Sequence, residues 1–264
     1  MECSDIKVNF LKSLTSNYIW IISHKNSNNV IVVDPGESEQ VKFYLSTNKL
    51  NLAAIFITHN HYDHTGGVID LIKNYDGINI WGPKNDSLNF PYNPLCMSDT
   101  VDVTSMSLQF KVIDIPGHTL GHIAFYGYDS LFCGDTLFAA GMGKIFEGTA
   151  AQMFNSINLI TSLPPTTKIY CGHEYTTDNL RFAMHVEPDN TAISRRYNSV
   201  LASVKRGDAS VPSSLANEYM TNPFLRYNND DVINAVVKHF SLDSNSVNDL
   251  TIFTKLREWK DNFS

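Results

Sequence analysis

Thr58-His59-Asn60-His61-Tyr62-Asp63-His64 follows directly on the apolar run Leu52-Ala53-Ala54-Ile55-Phe56-Ile57, and this junction decides how the rest of the chain is read. A short continuous apolar run of this kind fits a strand covered on both faces. It delivers four potential metal ligands, His59, His61, Asp63 and His64. Alternate side chains of an extended segment share a face, so His59 and His61 converge on one cation, while the following bend turns Asp63 and His64 toward a second. A loop rich in histidine by chance is the plain alternative, and the Gly66-Gly67 pair behind the motif speaks for a built turn.

Working outward, three more strand-like runs end in a candidate ligand. Ile115 precedes Pro116-Gly117-His118, Cys133 precedes Gly134-Asp135, and Cys171 precedes Gly172-His173. A glycine beside each lets the backbone turn tightly or approach a site closely. A lone Gly-His would be weak evidence; together the four junctions gather five histidines and two aspartates at one edge of the sheets. We expect His59, His61 and His118 on one metal, Asp63, His64 and His173 on the other, and Asp135 bridging both with a water. Imidazole and carboxylate without thiolate suit zinc, iron or manganese. Two divalent cations, two carboxylates and a hydroxide leave roughly one net positive charge, which favours an anionic intermediate and hence hydrolysis. Of the remaining histidines, His122 is expected to orient the His118 loop, His185 to pack, and His24 and His239 to lie at the surface.

The composition is that of an ordinary globular chain: 264 residues, 43% hydrophobic, with 20 Lys and Arg against 27 Asp and Glu for a net charge of −7. No basic field exists to draw nucleic acid or anionic lipid. No run is long and apolar enough to span a bilayer, and the N-terminus does not read as a leader. The expectation is a cytoplasmic monomer. Cys3, Cys96, Cys133 and Cys171 form no C-x-x-C pair, so neither a thiolate zinc site nor a disulfide framework is expected. Cys133 and Cys171 read as small buried hydrophobes.

The first two-thirds of the chain alternate strands with helices near Glu39 to Thr47, Val68 to Asn74 and Ala151 to Ser162, implying sheet layers covered by helices. Residues 1–173 are expected to form the catalytic domain. Residues 174–264 are expected to form a helical one, with helices near Asp178 to Val186, Ala192 to Lys205, Asp230 to His239 and Ser246 to Phe263. Ser246-x-x-Asp249 is the expected cap of the last helix. Gly141-Met142-Gly143 lacks the rest of any nucleotide-binding fingerprint and is expected to be a flexible turn. Gly207 to Ser214 reads as a loop, and no G-x-S-x-G elbow is present.

These motifs resemble those of the metallo-β-lactamase superfamily, and within it the glyoxalase II (hydroxyacylglutathione hydrolase) family. The resemblance runs through Leu14-Thr15-Ser16-Asn17-Tyr18, Val33-Asp34-Pro35-Gly36, Thr58 to Gly67, Gly117-His118-Thr119-x-Gly121-His122 and Gly134-Asp135-Thr136-Leu137-Phe138. It continues through Gly143 to Thr149, Cys171 to Tyr175, His185-Val186-Glu187-Pro188, Asn222 to Arg226, and Leu256-Arg257-x-x-Lys260-Asp261-x-Phe263. It implies an αββα sandwich with a dinuclear centre, zinc first, with iron or manganese as alternatives. It implies hydrolysis of a glutathione thioester, S-D-lactoylglutathione foremost, with Asp63 and Asp135 catalytic. By the same resemblance Lys144, Ile145, Phe146, His173, Glu174, Tyr175, Arg257 and Lys260 contact glutathione. Three positions depart from the pattern: Asn60 where histidine is frequent, Met142 for cysteine, and Phe146 for a tyrosine whose hydroxyl is thereby lost. A persulfide dioxygenase with one iron is the related alternative, and a nucleic-acid-processing or non-catalytic member the remote one.

Overall fold

The computed structural model describes residues 6–263. Cys3 lies outside them. One sheet holds β1 (Ile6–Ser13), β2 (Asn17–His24), β3 (Asn29–Val33), β4 (Asn51–Phe56), β5 (Asn79–Pro83) and β6 (Asn93–Leu95), in that order. Its first three strands are antiparallel neighbours and β3 to β6 run parallel. The second sheet is built from β7 (Thr100–Val103), β8 (Leu108–Asp114), β9 (Ile123–Gly127), β10 (Ser130–Gly134), β13 (Lys168–Cys171) and β14 (Ser213–Ser214), in the order β14-β13-β10-β9-β8-β7. Between β10 and β13 a small ribbon is formed by β11 (Leu137–Phe138) and β12 (Gly141–Met142).

The period of two along the buried strands explains the layering. Tyr18, Trp20 and Ile22 of β2, with Ile31, Val33, Ala54 and Phe56, point between the sheets into one core with Phe110, Val112, Phe125 and Phe132. Phe56 stacks on Phe125 with centroids 4.3 Å apart. The alternate residues Ile19, Ile21, Val30, Val32 and Ile55 face the other way, against Val41 and Leu45 of α1 (Glu39–Asn48) and Val68 and Leu71 of α3 (Val68–Asn74). On the second sheet's side, α4 (Ala150–Thr161) buries Met153, Ile157 and Ile160. The expected αββα order is the one observed. Full burial of a single side chain such as Phe56 stabilises by roughly 1.5–3 kcal/mol.

The short α2 (Tyr62–Thr65) lies just beyond β4. After β13 the chain is mainly helical: α5 (Thr176–Val186), α6 (Thr191–Lys205), α7 (Leu215–Thr221), α8 (Asp230–Phe240) and α9 (Asp249–Asp261). Three expectations need correction here. The last helix begins at Asp249, with the Asn248 side chain accepting from Thr251 N–H, so Ser246 is not its cap. Residues 207–214 are more than a loop, since Ser213 and Ser214 pair with Ile169 and Lys168 as an edge strand. The Gly141-Met142-Gly143 turn is the ordered second strand of the ribbon. No helix among the described residues is long and apolar enough to cross a membrane.

Candidate metal centre

Strand pairing sets the site. Because β10 and β13 are parallel with Gly134 opposite Cys171, Asp135 and His173 emerge side by side. Tyr18 N–H donates to Gly172 O at 2.8 Å, bringing β2 and Asn17 to the same edge. Ile123 N–H donates to Thr58 O at 2.9 Å and ties the His118 loop to the His59 loop across the two sheets. Gly134, at φ +46°, adopts a left-handed turn that a side chain would strain. A Cβ at Gly172 would sit 2.3 Å from Asp135 Oδ1, so only glycine leaves that carboxylate its place.

His59, His61 and His118 present nitrogens within 4.8 Å of one another, and so do Asp63, His64 and His173 with their ligand atoms. His118 Nε2 and His61 Nδ1 are 3.1 Å apart. Two nitrogens on one tetrahedral zinc, each about 2.1 Å from it, stand about 3.4 Å apart, so the spacing fits a shared cation. Asp135 lies between the triads, with Oδ1 3.4 Å from His64 Nε2, and Oδ2 3.6 Å from His118 Nε2 and 3.1 Å from His173 Nε2. His59 Nε2, His64 Nε2 and Asp135 Oδ1 are buried without a hydrogen bond. Buried polar atoms aimed at one another and left unbonded are what a cation site looks like from its protein side. The donor set is of imidazole and carboxylate alone, and it fits a divalent metal.

An outer layer fixes the tautomers. His59 Nδ1–H donates to Thr58 Oγ1 at 3.0 Å, Thr58 Oγ1–H donates to Asp34 Oδ2 at 2.7 Å, and His64 Nδ1–H donates to the same Oδ2 at 3.0 Å. Both rings thereby turn Nε2 toward the centre, the atom a metal would take once unprotonated. Asp34 also offers atoms near His59 and His64, but its oxygens are taken by Thr58 and His64, which makes it an orienting group. His118 Nδ1–H donates to Lys144 O at 2.7 Å, and Asn17 Nδ2 donates to Asp63 Oδ2 at 2.8 Å. Asp86 accepts from Asn60 N–H, Thr119 Oγ1 and Gly121 N–H, knotting the two histidine loops together. The sequence reading did not assign Asp34, Asn17 or Asp86. Asn17 and Asp34 do stand in the Leu14-Thr15-Ser16-Asn17-Tyr18 and Val33-Asp34-Pro35-Gly36 motifs, whereas Asp86 stands in none.

Electrostatics follow the same geometry. Burial pushes His59, His118 and His122 below the usual imidazole range. Burial also works against a charge on His64, yet Asp135 and Asp34 hold it well above that range. His173 is likewise opposed by burial and raised by Asp135 and Asp63 to about 9. His122 holds the start of the His118 loop through its backbone, its carbonyl accepting from Ile115 N–H at 2.8 Å, while its ring is used elsewhere. Its Nδ1–H donates to Ile123 O, its Nε2 accepts from Asp135 N–H at 3.2 Å, and its ring stacks on His59 at 4.6 Å.

The expected glutathione contacts divide. Phe146 is exposed and meets His61 and His118 edge-on, with Lys144 Nζ 5.6 Å from its ring centroid. Tyr175 stacks flat on His173 at 4.7 Å. These side chains rim the centre. The Glu174 carboxylate accepts from Tyr18 O–H at 2.5 Å and from Ser210 N–H and Oγ–H, which ties the segment around Ser210 to β2. Ile145 is partly buried and packs its side chain on the main core. Arg257 is only 8% exposed, its Nη1 donates to Met142 O at 2.9 Å and its Nη2 pairs with Asp261 at 3.0 Å. Lys260 lies one turn on, its Nζ donating to Asp178 O at 3.2 Å. Burial and the Arg257 charge bring Lys260 down to about 8. His185 packs on Trp259 and Phe263, and His239 stacks on Trp259. Cys133 and Cys171 are buried free thiols, as expected.

Residues 13–173 match the metallo-beta-lactamase superfamily model and residues 174–263 match that of the hydroxyacylglutathione hydrolase C-terminus. A hydroxyacylglutathione hydrolase of Shewanella baltica (strain OS223) is 43% identical over 263 residues, covering 98% of this chain and 100% of that one. The chain belongs to the hydroxyacylglutathione hydrolase family. Another relative of that name, from Aliivibrio fischeri (strain MJ11), is 43% identical over 258 residues, covering 98% of this chain and 100% of its own. Among solved structures, ETHE1 from Myxococcus xanthus superposes with a TM-score of 0.64 at 22% identity, covering 95% of this chain and 98% of that one. TTHA1623 in a di-iron-bound form gives 0.59 at 22% identity, covering 83% of this chain and 100% of that one. Both likenesses speak to the fold, whereas the family rests on the sequence relatives and the C-terminal match.

Proposed function

We infer that this chain hydrolyses glutathione thioesters of 2-hydroxy acids, with S-D-lactoylglutathione as the principal substrate, releasing D-lactate and glutathione. The observation that carries the reading is the pair of ligand triads facing each other across Asp135, in a chain whose C-terminal residues 174–263 match the hydroxyacylglutathione hydrolase model. In this reading His59, His61 and His118 hold one divalent ion, Asp63, His64 and His173 the other, and Asp135 both. When bound, the two ions, zinc first with iron or manganese as alternatives, supply an activated water and offset negative charge on the thioester oxygen.

The chain's own residues do the rest. Asp63 keeps a side-chain exposure of 34%, so its carboxylate reaches the open side of the cluster while Asn17 and His173 fix its orientation. It is placed to orient the attacking water by accepting a hydrogen bond from it. A C–O bond forms, the C–S bond breaks, and the proton ends on the departing thiolate, which leaves readily without a dedicated acid. Lys144, Phe146 and Tyr175 line the approach, and Arg257 and Lys260 receive the carboxylates of the tripeptide. Support for that last step is the placement of Arg257 against the ribbon that leads into Lys144, with Lys260 one turn further along the same helix beside α5. The catalytic part is residues 1–173 and the tripeptide-binding part 174–264. A cytoplasmic setting and a monomer belong to the same proposal, supported by the free thiols of Cys96, Cys133 and Cys171 and by ligands all drawn from one chain.

The persulfide dioxygenase reading is not favoured, because the curated relatives and the C-terminal model both point to the hydrolase. The test is turnover of S-D-lactoylglutathione, followed as loss of thioester absorbance, beside a small thioester without the tripeptide. Fast hydrolysis of the first and slow hydrolysis of the second is expected. Equal rates on both would remove glutathione from the account.

A further inference from the structure

The ribbon of β11 and β12 runs between Asp135 and Lys144, and its turn is held almost entirely by side chains of the helical segment. Asn222 Nδ2 donates to Gly141 O at 3.0 Å and to Phe138 O at 3.3 Å. Asn179 Nδ2 donates to Ala139 O at 3.1 Å, Arg257 Nη1 donates to Met142 O, and Ala140 N–H donates to Glu218 Oε2 at 2.7 Å. Ala140 sits at φ +56°, a left-handed conformation that residues with a Cβ hold only when their surroundings enforce it. Glu218 is fully buried, and its other oxygen is fixed by Arg196 at 2.6 Å and by Ser213 Oγ. A buried, paired carboxylate from α7 thus ends on one backbone N–H of a distant turn.

Each flank of the ribbon leads into the metal centre. Gly143 N–H donates to Thr136 O, a Cβ at Gly143 would meet Asp135 O at 1.7 Å, and the next carbonyl, Lys144 O, orients His118. We propose that Glu218, with Asn179 and Asn222, is a positioning residue that clamps the 137–142 ribbon so that Asp135 and the Lys144 carbonyl set the metal centre from the helical side. The helical segment then completes the ligand cage as well as receiving substrate. The proposal rests on the metal-centre reading above and adds a part that neither the motifs nor the ligand set requires.

Three variants test it, each assayed for zinc affinity by chelator competition and for kcat and KM on S-D-lactoylglutathione. Glu218→Ala removes the acceptor but leaves Arg196 buried without its partner, so it risks the fold. Asn179→Ala removes one donor from Ala139 O and leaves the Arg196–Glu218 pair alone. Tyr219→Phe, in the same helix as Glu218, removes a hydrogen bond to Thr161 O, at the end of α4, and touches no part of the ribbon. Loss of a direct hydrogen-bond partner of a ligand weakens metal binding about 10- to 100-fold, and a residue acting one step further out should show part of that loss. Asn179→Ala should show that partial loss, with a lowered kcat and a nearly unchanged KM, and Tyr219→Phe should match the wild type. Asn179→Ala with wild-type zinc affinity and kcat would overturn the clamp, as would an equal loss in Tyr219→Phe. If the wild type bound no zinc, the site reading would fall and the clamp with it; zinc-replete, active wild type beside unaffected variants would sink the clamp alone.

Discussion

Lys260 gives the sharpest test of how the tripeptide is held. Its ammonium is brought down to about 8 by burial and by the neighbouring Arg257 charge. If it receives a glutathione carboxylate, KM depends on that proton. An ion pair at 4 Å is worth about 4 kcal/mol at an effective dielectric of 20. Lys260 is half-open to solvent, and screening cuts this to about 1 kcal/mol, roughly a fivefold change in KM. The sign is fixed by the direction of the shift: below pH 7 the ammonium is charged and KM is low and flat, and as pH rises through about 8 the cation is lost and KM climbs. The assay is initial-rate thioester hydrolysis from pH 6.5 to 9, on wild type, Lys260→Arg and Lys260→Met. The arginine variant should stay flat and low, and the methionine variant flat and high, with kcat similar in all three because the contact is remote from the reacting bond. A wild-type KM that does not rise, or one that rises equally in Lys260→Arg, would refute the reasoning.

Arg257→Met should lower kcat as well as raise KM, because Met142 O loses its donor along with the substrate losing a cation; steady-state kinetics separate the two effects, and a pure KM change would contradict the structural role. Asp34→Asn should weaken zinc binding or activity about 10- to 100-fold, since the relay through Thr58 and His64 no longer fixes both rings; zinc competition beside turnover checks it. Zinc binding at pH 7 should release about one proton or more, because His64 and His173 are both protonated there and must give up their protons to act as ligands. Calorimetry in buffers of different ionisation enthalpy reads that release, and the share from His173 should fade above pH 9 as that ring loses its proton unaided.

The layers and the ligand junctions were legible because strands covered on both faces leave continuous apolar runs, and Phe56-Ile57-Thr58-His59 marks where such a run stops at a site. Strand β1, by contrast, mixes Lys7, Asn9 and Lys12 with apolar residues as an edge strand does, and the two-residue strands β11, β12 and β14 are too short to show a period. The orienting residues were hidden for a different reason. Asp34 works on Thr58 and His64, and Glu218 on Ala140, across separations that no local pattern encodes. The partners of Glu174, Tyr18 and Ser210, are equally remote in sequence, so the motif that holds it does not show them.

The most direct test of the account is a zinc titration of metal-stripped protein during turnover of S-D-lactoylglutathione. Activity absent at the start, rising with added zinc and reaching its plateau at two equivalents per chain, with one thiol released for each thioester consumed, is the predicted result. Full activity at one equivalent, or turnover that consumes oxygen, would contradict the dinuclear hydrolase.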